Sequence, residues 1–299
     1  MIVKCLMDNE ASSEEFLTEH GLSLYIETRD HKILFDTGAS PAFAENAERM
    51  GVDLAQVDIA VLSHGHYDHT GGLSTFLKLN SKADIYVSRY AFAPFMALRE
   101  GNRMEPIGMP DIPEVEEIRE KLLAGHRIPK SSRFRLTEGE TFLDEGLVLF
   151  SEPEGNCFWP EGNHRLLEAP DQPGEDLGED PFRHEQNLLI REGGYSLLLV
   201  GCAHRGIVNI VQQCRISGYG MPDWVIGGFH FHNRAAGTSE EQDRIRRIGN
   251  TLMATETKFF TGHCTGKEAF RVLKKMMKNQ IDYLDAGRTL ILPENPVQI

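Results

Sequence analysis

The sequence predicts an α/β (α+β) protein, and three observations carry that expectation. Short apolar runs recur that end in glycine, aspartate or histidine and are followed by stretches with helical spacing. Strands alternating with helices in this way build a largely parallel sheet covered by helices. The order hairpin, helix, strand, His-x-His occurs twice, over residues 23–66 and again over 187–232. Finally, 40% hydrophobic and 25% charged residues in a chain of 299 suit a soluble globular protein large enough to bury a substantial core.

Met1 to Met7 reads as the first strand, since Asp8 and Glu10 interrupt it too soon for a signal peptide. Leu22, Leu24 and Ile26 share one face of a second strand, and Lys32-Ile33-Leu34-Phe35 makes a third that stops at Asp36-Thr37-Gly38. Pro41 opens a helix whose apolar positions Phe43, Ala47 and Met50 keep helical spacing until Gly51. Residues 59–62 form the next strand, 88–98 and 115–123 read as helical, and 151–181 shows little periodicity, with five prolines and many acids. Order returns with strands at 187–191 and 195–200, a helix over 206–216 and a strand running from Asp223 into His230 and His232. A polar-faced helix (239–253), a strand (258–261), a helix (267–278) and a last strand (289–292) follow. The two similar stretches read as halves facing each other, which would bring Asp36, His64 and His66 towards Cys202, His204, His230 and His232. A single domain over 1–299 is expected, with lid-like insertions around 88–135 and 151–183.

The chemistry concentrates in Ser63-His64-Gly65-His66-Tyr67-Asp68-His69-Thr70-Gly71-Gly72. Four potential metal ligands, His64, His66, Asp68 and His69, fall within six positions after a strand and before a helix. Imidazole and carboxylate in one loop suit zinc, iron or manganese. Two further strand-to-helix junctions carry His204 beside Cys202 and His263 beside Cys264. Ligands gather at the carboxyl ends of strands in such sheets, so the three junctions can share one mouth. Helices starting near Gly72, Gly206 and Gly266 would favour an anionic substrate or hydroxide there.

The formal charge of −14 opposes phosphate backbones and counts against nucleic acid as a partner. No apolar run approaches the ~20 residues of a membrane span. Five cysteines without paired spacing point to reduced thiols and a cytoplasmic setting. A small-molecule substrate is the expected partner, and nothing in the residues specifies an oligomeric state.

The motif His64-x-His66-x-Asp68-His69, preceded by Phe35-Asp36-Thr37-Gly38, resembles the metallo-β-lactamase-fold superfamily. Asp8-Asn9-Glu10, His20-Gly21-Leu22-Ser23, Gly201-Cys202-Ala203-His204, Gly227-Gly228-Phe229-His230 and Gly262-His263-Cys264-Thr265-Gly266 extend the likeness. They make it similar to the dihydropterin-ribofuranosylaminobenzene-phosphate synthase-like metal-dependent hydrolases. The resemblance implies a four-layer αβ/βα sandwich with two divalent metal ions, zinc first and manganese or iron as alternatives. It places His64 and His66 on the first metal, Asp68, His69 and His263 on the second, and Asp36 as a hydrogen-bonding orienter. His204 is the expected further ligand of the first metal. The superfamily's bridging aspartate is missing: Cys202 stands in its place, and His184 and Glu185 are further candidates for a ligand or substrate contact. The implied activity is a dinuclear metal hydrolase, phosphoesterase-like, acting on an ester, lactone or phosphoester that is phosphorylated or pterin-like. Asp68 and His230 are its catalytic candidates, with His230 as a general acid or a substrate contact. A mononuclear-iron, dioxygenase-like oxidoreductase and a non-catalytic metal sensor are the rival readings.

Elsewhere packing is the simpler expectation. His20, His31, His126 and His164 read as surface residues, Arg99, Arg103 and Arg205 as solvated charges, and Met96, Met104 and Met109 as core or lid packing. Cys202 and Cys264, next to ligands, also read first as small buried packing groups.

Overall fold

In strand Ser23–Glu27 the residues Leu24 and Ile26 point one way and Ser23 and Tyr25 the other, yet all four are buried. Side chains alternate across a strand, so a strand that is apolar on both sides must lie between two layers. The computed structural model, which describes residues 1–169, 177–234 and 237–293, shows what those layers are. Val3, Cys5, Leu24, Ile26, Ile33, Phe35, Ile59 and Val61 face inward against Leu147, Leu149, Leu188, Ile190, Leu197, Leu199, Ile226 and Phe260 of a second sheet. The outer face of the first sheet, through Leu34, Leu62, Ile85 and Val87, takes Phe43, Ala47, Leu73, Phe76, Val115 and Ile118 from helices Ala42–Arg49, Leu73–Leu79 and Pro113–Leu123. The outer face of the second takes Ile207, Ile210, Ile245, Ile248, Ala269 and Leu273 from helices Ile207–Ile216, Gln242–Met253 and Lys267–Met277. The result is a four-layer αβ/βα sandwich.

The first sheet runs in the order Thr289–Ile291, Ile2–Met7, Ser23–Glu27, Lys32–Phe35, Ile59–Leu62, Asp84–Ser88, Phe134–Thr137. The second runs Ile281–Tyr283, Lys258–Thr261, Trp224–Gly227, Tyr195–Leu199, Gln186–Glu192, Leu147–Ser151, Thr141–Phe142. In each, an antiparallel hairpin leads through a helix into a parallel strand: Ser23–Glu27 and Lys32–Phe35 into Ile59–Leu62, and Gln186–Glu192 and Tyr195–Leu199 into Trp224–Gly227. The repeated order seen in the sequence is therefore repeated in topology. The parallel strands deliver their carboxyl ends to a common edge.

Two expectations fail. Residues 88–98 are not one helix: a short 3-10 turn, Arg89–Phe92, gives way to strand Phe95–Leu98. Pro94 between them cannot supply a helical hydrogen bond and biases the residue before it towards extended backbone. That strand joins Met104–Pro106, Leu166–Glu168 and Gly178–Glu179 in a small separate sheet, so the two insertions pair with each other. Met109 belongs to the core beneath the outer helices. The acids Asp171, Glu175 and Asp176 lie outside the described residues. The second failure concerns His230 and His232, which the strand expected from Asp223 does not reach. The strand ends at Gly227, His230 has a left-handed φ of 51°, and His232 starts a separate two-stranded ribbon. Among the described residues, no helix is long and apolar enough to cross a membrane.

Candidate metal centre

The strand ends turn sharply where the site begins. Asp36, Ala203, His230 and His263 all have left-handed backbones, with φ of 62°, 57°, 51° and 47°. Such residues cost of order 1–3 kcal/mol each and collect at functional sites. The junctions also press together: a Cβ on Gly201 would lie 2.2 Å from Ser63 Oγ, so only glycine lets the two halves touch there.

Three junctions bring two sets of donors into contact. His64, His66 and His204 form one set, and Asp68, His69, Cys202 and His263 the other, with ligand atoms in each within 4.8 Å of one another. Cys202 also falls in a group with His204 and His230. All of these side chains are buried or nearly so. Burial pushes His64 and His204 well below the ordinary imidazole range and lowers His66, and it pushes His230 and His263 down to about 3. Neutral imidazoles are what a cation requires. Burial would raise Asp68, but the charge of His69 and the hydrogen bond from His20 outweigh it and hold the carboxyl well below its usual range.

The hydrogen bonds behind these groups decide which ring nitrogen is free. Asp36 Oδ2 accepts from His69 Nδ1 at 2.6 Å and from Ser63 Oγ at 2.7 Å, and its Oδ1 accepts from Ser63 N at 2.6 Å. Ser63 Oγ, its proton given to Asp36, accepts from His64 Nδ1 at 2.9 Å. Asn163 Nδ2 donates to the His204 carbonyl at 2.8 Å, which turns Asn163 Oδ1 towards His204 Nδ1 at 3.1 Å. His64, His69 and His204 thus carry their proton on Nδ1 and present Nε2 to the centre, as second-shell partners of metal-bound histidines do. Among the described residues, His64 Nε2 and His204 Nε2 have no hydrogen-bond partner. His69 Nε2 stands 3.2 Å from His263 Nε2 and 3.2 Å from Cys202 Sγ. Burial would lower His69, but the Asp36 and Asp68 carboxylates outweigh it and raise it, so the 3.2 Å gap between the two rings accommodates either a shared proton or a cation. The donor set fits metal ions.

His184 and Glu185 each have partners of their own. His184 Nδ1 accepts from Gly65 N at 3.0 Å and its Nε2 faces Asp180 Oδ2 at 2.9 Å, and with His66 these two side chains make a further group whose ligand atoms lie within 4.8 Å of one another. Glu185 accepts from His204 N at 2.6 Å and from Arg205 N at 2.8 Å, which uses both oxygens to hold the loop carrying His204. Phe182 stacks on His204 with centroids 4.3 Å apart. Asp180 also faces His66 Nε2 at 3.8 Å; it sits in the acidic run after 175, and only its i, i+4 spacing from His184 hinted at a role. His20 is no bystander either: its Nε2 lies 3.1 Å from Asp68 Oδ2. The signal was the adjacent Gly21, whose missing side chain lets the chain pass against the Asp68 carbonyl. Asp8, which accepts from His263 N at 2.7 Å, and Asn9 were also missed as site residues. His230 is half-buried, its ring 4.1 Å from that of His204 between centroids, and among the described residues neither of its ring nitrogens has a partner. Cys264 accepts from His230 N at 3.3 Å and so packs rather than facing the donors.

Above these groups lies a narrow cleft lined by His20, Tyr67, Arg99, His230, His232 and Arg234, with Ile107 and Leu166 from the insertions. Arg99 is not a free charge, since Glu105 holds it at 3.1 Å. Arg103, also on Glu105, is exposed, and Arg205 caps the Pro181 carbonyl.

Two facing sheets carry a His-x-His-x-Asp-His loop at their shared edge, and in this the chain is similar to the metallo-β-lactamase superfamily. The superfamily's sequence model matches residues 18–152. Beyond that class, the chain is 28% identical over 304 residues to the 7,8-dihydropterin-6-methyl-4-(β-D-ribofuranosyl)-aminobenzene-5′-phosphate synthase of Methanocaldococcus jannaschii, covering 95% of this chain and 93% of that one. It is 27% identical over 300 residues to the uncharacterized protein MJ0448 of the same organism, covering 97% and 99%. Among solved structures it is similar to Tm1679, described as a metal-dependent hydrolase of the β-lactamase superfamily, with 25% identity, a TM-score of 0.76 and coverage of 98% and 99%.

Proposed function

We propose that the chain is a hydrolase using two divalent cations on a small anionic ester, lactone or phosphoester. The carrying observation is the pair of facing Nε2 atoms of His69 and His263, 3.2 Å apart beside the Cys202 thiol and the Asp68 carboxylate. His64, His66 and His204 would hold one cation. Asp68, His69 and His263 would hold the other, and Cys202 lies within reach of both sets. A thiolate there favours zinc or iron over manganese. Cations held there would supply Lewis acidity, bringing the pKa of a bound water towards ~7 and favouring negative charge on a substrate oxygen.

The protein's own groups do the rest. Asp68 is kept ionised, with Oδ2 occupied by His20, so it can orient a nucleophile's proton with its other oxygen. His230 offers a ring nitrogen to the cleft with no competing partner among the described residues. Burial makes its charged form costly, so it serves as a neutral hydrogen-bond donor to the leaving oxygen more readily than as a full acid. Arg234, which donates to the Tyr67 hydroxyl at the mouth, suits an anionic end of the substrate, and the phosphate in the name of the Methanocaldococcus relative agrees with that. Its name also says synthase, so the bond attacked is left at the level of ester, lactone or phosphoester. The free state of all five cysteines accords with a cytoplasmic enzyme.

Metal content per chain, measured by inductively coupled plasma mass spectrometry on protein purified without added metal, tests the proposal. About two equivalents with turnover of phosphoesters or lactones is the expected result. Close to one equivalent, mainly iron, with oxygen consumption, would replace it with the oxidoreductase reading.

A further inference from the structure

Asn9 touches two histidines at once, and its amide can satisfy both in one way only. Asn9 Nδ2 lies 3.4 Å from the carbonyl oxygen of His263, an atom that can only accept, so the NH2 group must point there. Asn9 Oδ1 then faces His263 Nδ1 at 3.0 Å, and that nitrogen must carry a proton. The second N–H of the amide faces His20 Nδ1 at 3.2 Å, and that nitrogen must be bare. His20 therefore carries its proton on Nε2, where it donates to Asp68 Oδ2 at 3.1 Å. The two rings lie 4.8 Å apart between centroids.

We infer that Asn9 is a positioning residue that sets His263 and His20 to opposite tautomers. One ring presents a lone pair to the second donor set, and the other presents an N–H to the carboxylate of that same set. The inference rests on the ligand reading of His263 and Asp68 for its purpose, though not for its geometry. Asp8 anchors the arrangement from the preceding position by accepting from His263 N, Glu10 N and Tyr283 Oη at 2.7, 3.1 and 3.1 Å. The end of the first strand thus carries a small relay into the site from the far side of the metal motif.

The test is the tautomer itself, read in metal-free protein labelled with 15N-histidine by two-bond nitrogen–proton correlation. His20→Gln and His263→Gln identify the two rings by loss of their signals. The expected spectrum shows Nδ1–H for His263 and Nε2–H for His20. Asn9→Asp keeps an acceptor for His263 but removes the donor to His20, so it should move His20 off the Nε2–H form while His263 keeps Nδ1–H. The same variant should weaken zinc binding in chelator competition by roughly tenfold. The other tautomer or an averaged signal for either ring in the unsubstituted protein overturns the inference, as does an Asn9→Asp spectrum identical to it. If Asn9→Asp does not fold, the unsubstituted spectrum decides alone. Correct tautomers with no bound metal would sink the metal reading and leave this one standing; two bound metals with the wrong tautomers would do the reverse.

Discussion

Replacing Asp36 by Asn should disable both halves of the site with almost no change of shape. Asparagine tolerates the left-handed backbone that Asp36 adopts (φ 62°), so the effect is chemical. The carboxylate accepts three short hydrogen bonds, from Ser63 N, Ser63 Oγ and His69 Nδ1. With its Oδ1 kept on Ser63 N, an amide would turn N–H groups towards the other two. His69 must then move its proton to Nε2, and Ser63 Oγ must accept from the amide and donate to His64 Nδ1, which reverses His64 as well. Hydrogen bonds to a charged acceptor contribute about 1.5–3 kcal/mol each, so losing two in part should destabilise the metal-free protein by roughly 2–4 kcal/mol. Second-shell losses typically cost about 10–100-fold in metal affinity, and here both sets should be affected. Ser63→Ala removes the Oγ bonds to Asp36 and His64 but leaves Asp36 on His69 Nδ1, so it should weaken one site while sparing the other. Chelator competition and thermal unfolding of the metal-free variants read both effects. Two metals bound at unaltered affinity in Asp36→Asn, or identical behaviour of the two variants, would refute the tautomer argument.

Other outcomes follow from the same geometry. His66→Ala or Asp68→Ala should abolish turnover with the fold retained by circular dichroism; residual full activity in either would remove that residue from the ligand set. Metal-free protein should lose stability on acidification. His230 and His263 have folded pKa values of about 3, below the ~6.5 of the unfolded chain. Their contribution is therefore present above pH ~6.5 and lost as pH falls, by about 1.4 kcal/mol each at pH 5.5. Unfolding temperatures that stay flat from pH 7.5 to 5.5 would contradict this. Arg234→Ala should raise KM for an anionic substrate by about tenfold with little change in kcat, a split that steady-state kinetics on charged and uncharged analogues would expose.

Some of this was legible in the residues and some was not, for identifiable reasons. The strand alternation in Leu24 and Ile26, the helix begun at Pro41 and the repeated hairpin-helix-strand order are local patterns, and each became the expected element. The cluster from His64 to His69 is also local, which is why it stood out. His204 and His263 could be nominated because each ends a strand run. The failures share one cause: they depend on contacts across long stretches of chain. Nothing near 88–98 shows that Phe95–Leu98 would find Leu166–Glu168 and become a strand. Gly21 beside His20 marks a close passage of the chain without saying that Asn9 and Asp68 are what His20 meets, and nothing beside His184 says that Gly65 will meet its ring. By itself the sequence determined the layers, the strand ends and the identity of most donor groups, because burial patterns and short motifs act over a few residues. Only the tertiary structure decided which nitrogen of each histidine faces the centre, which carboxylates serve behind them and which residues wall the cleft. Those choices are made by single hydrogen bonds between segments as much as 255 positions apart, as Asp8 and His263 are, and a linear sequence carries no record of such distances.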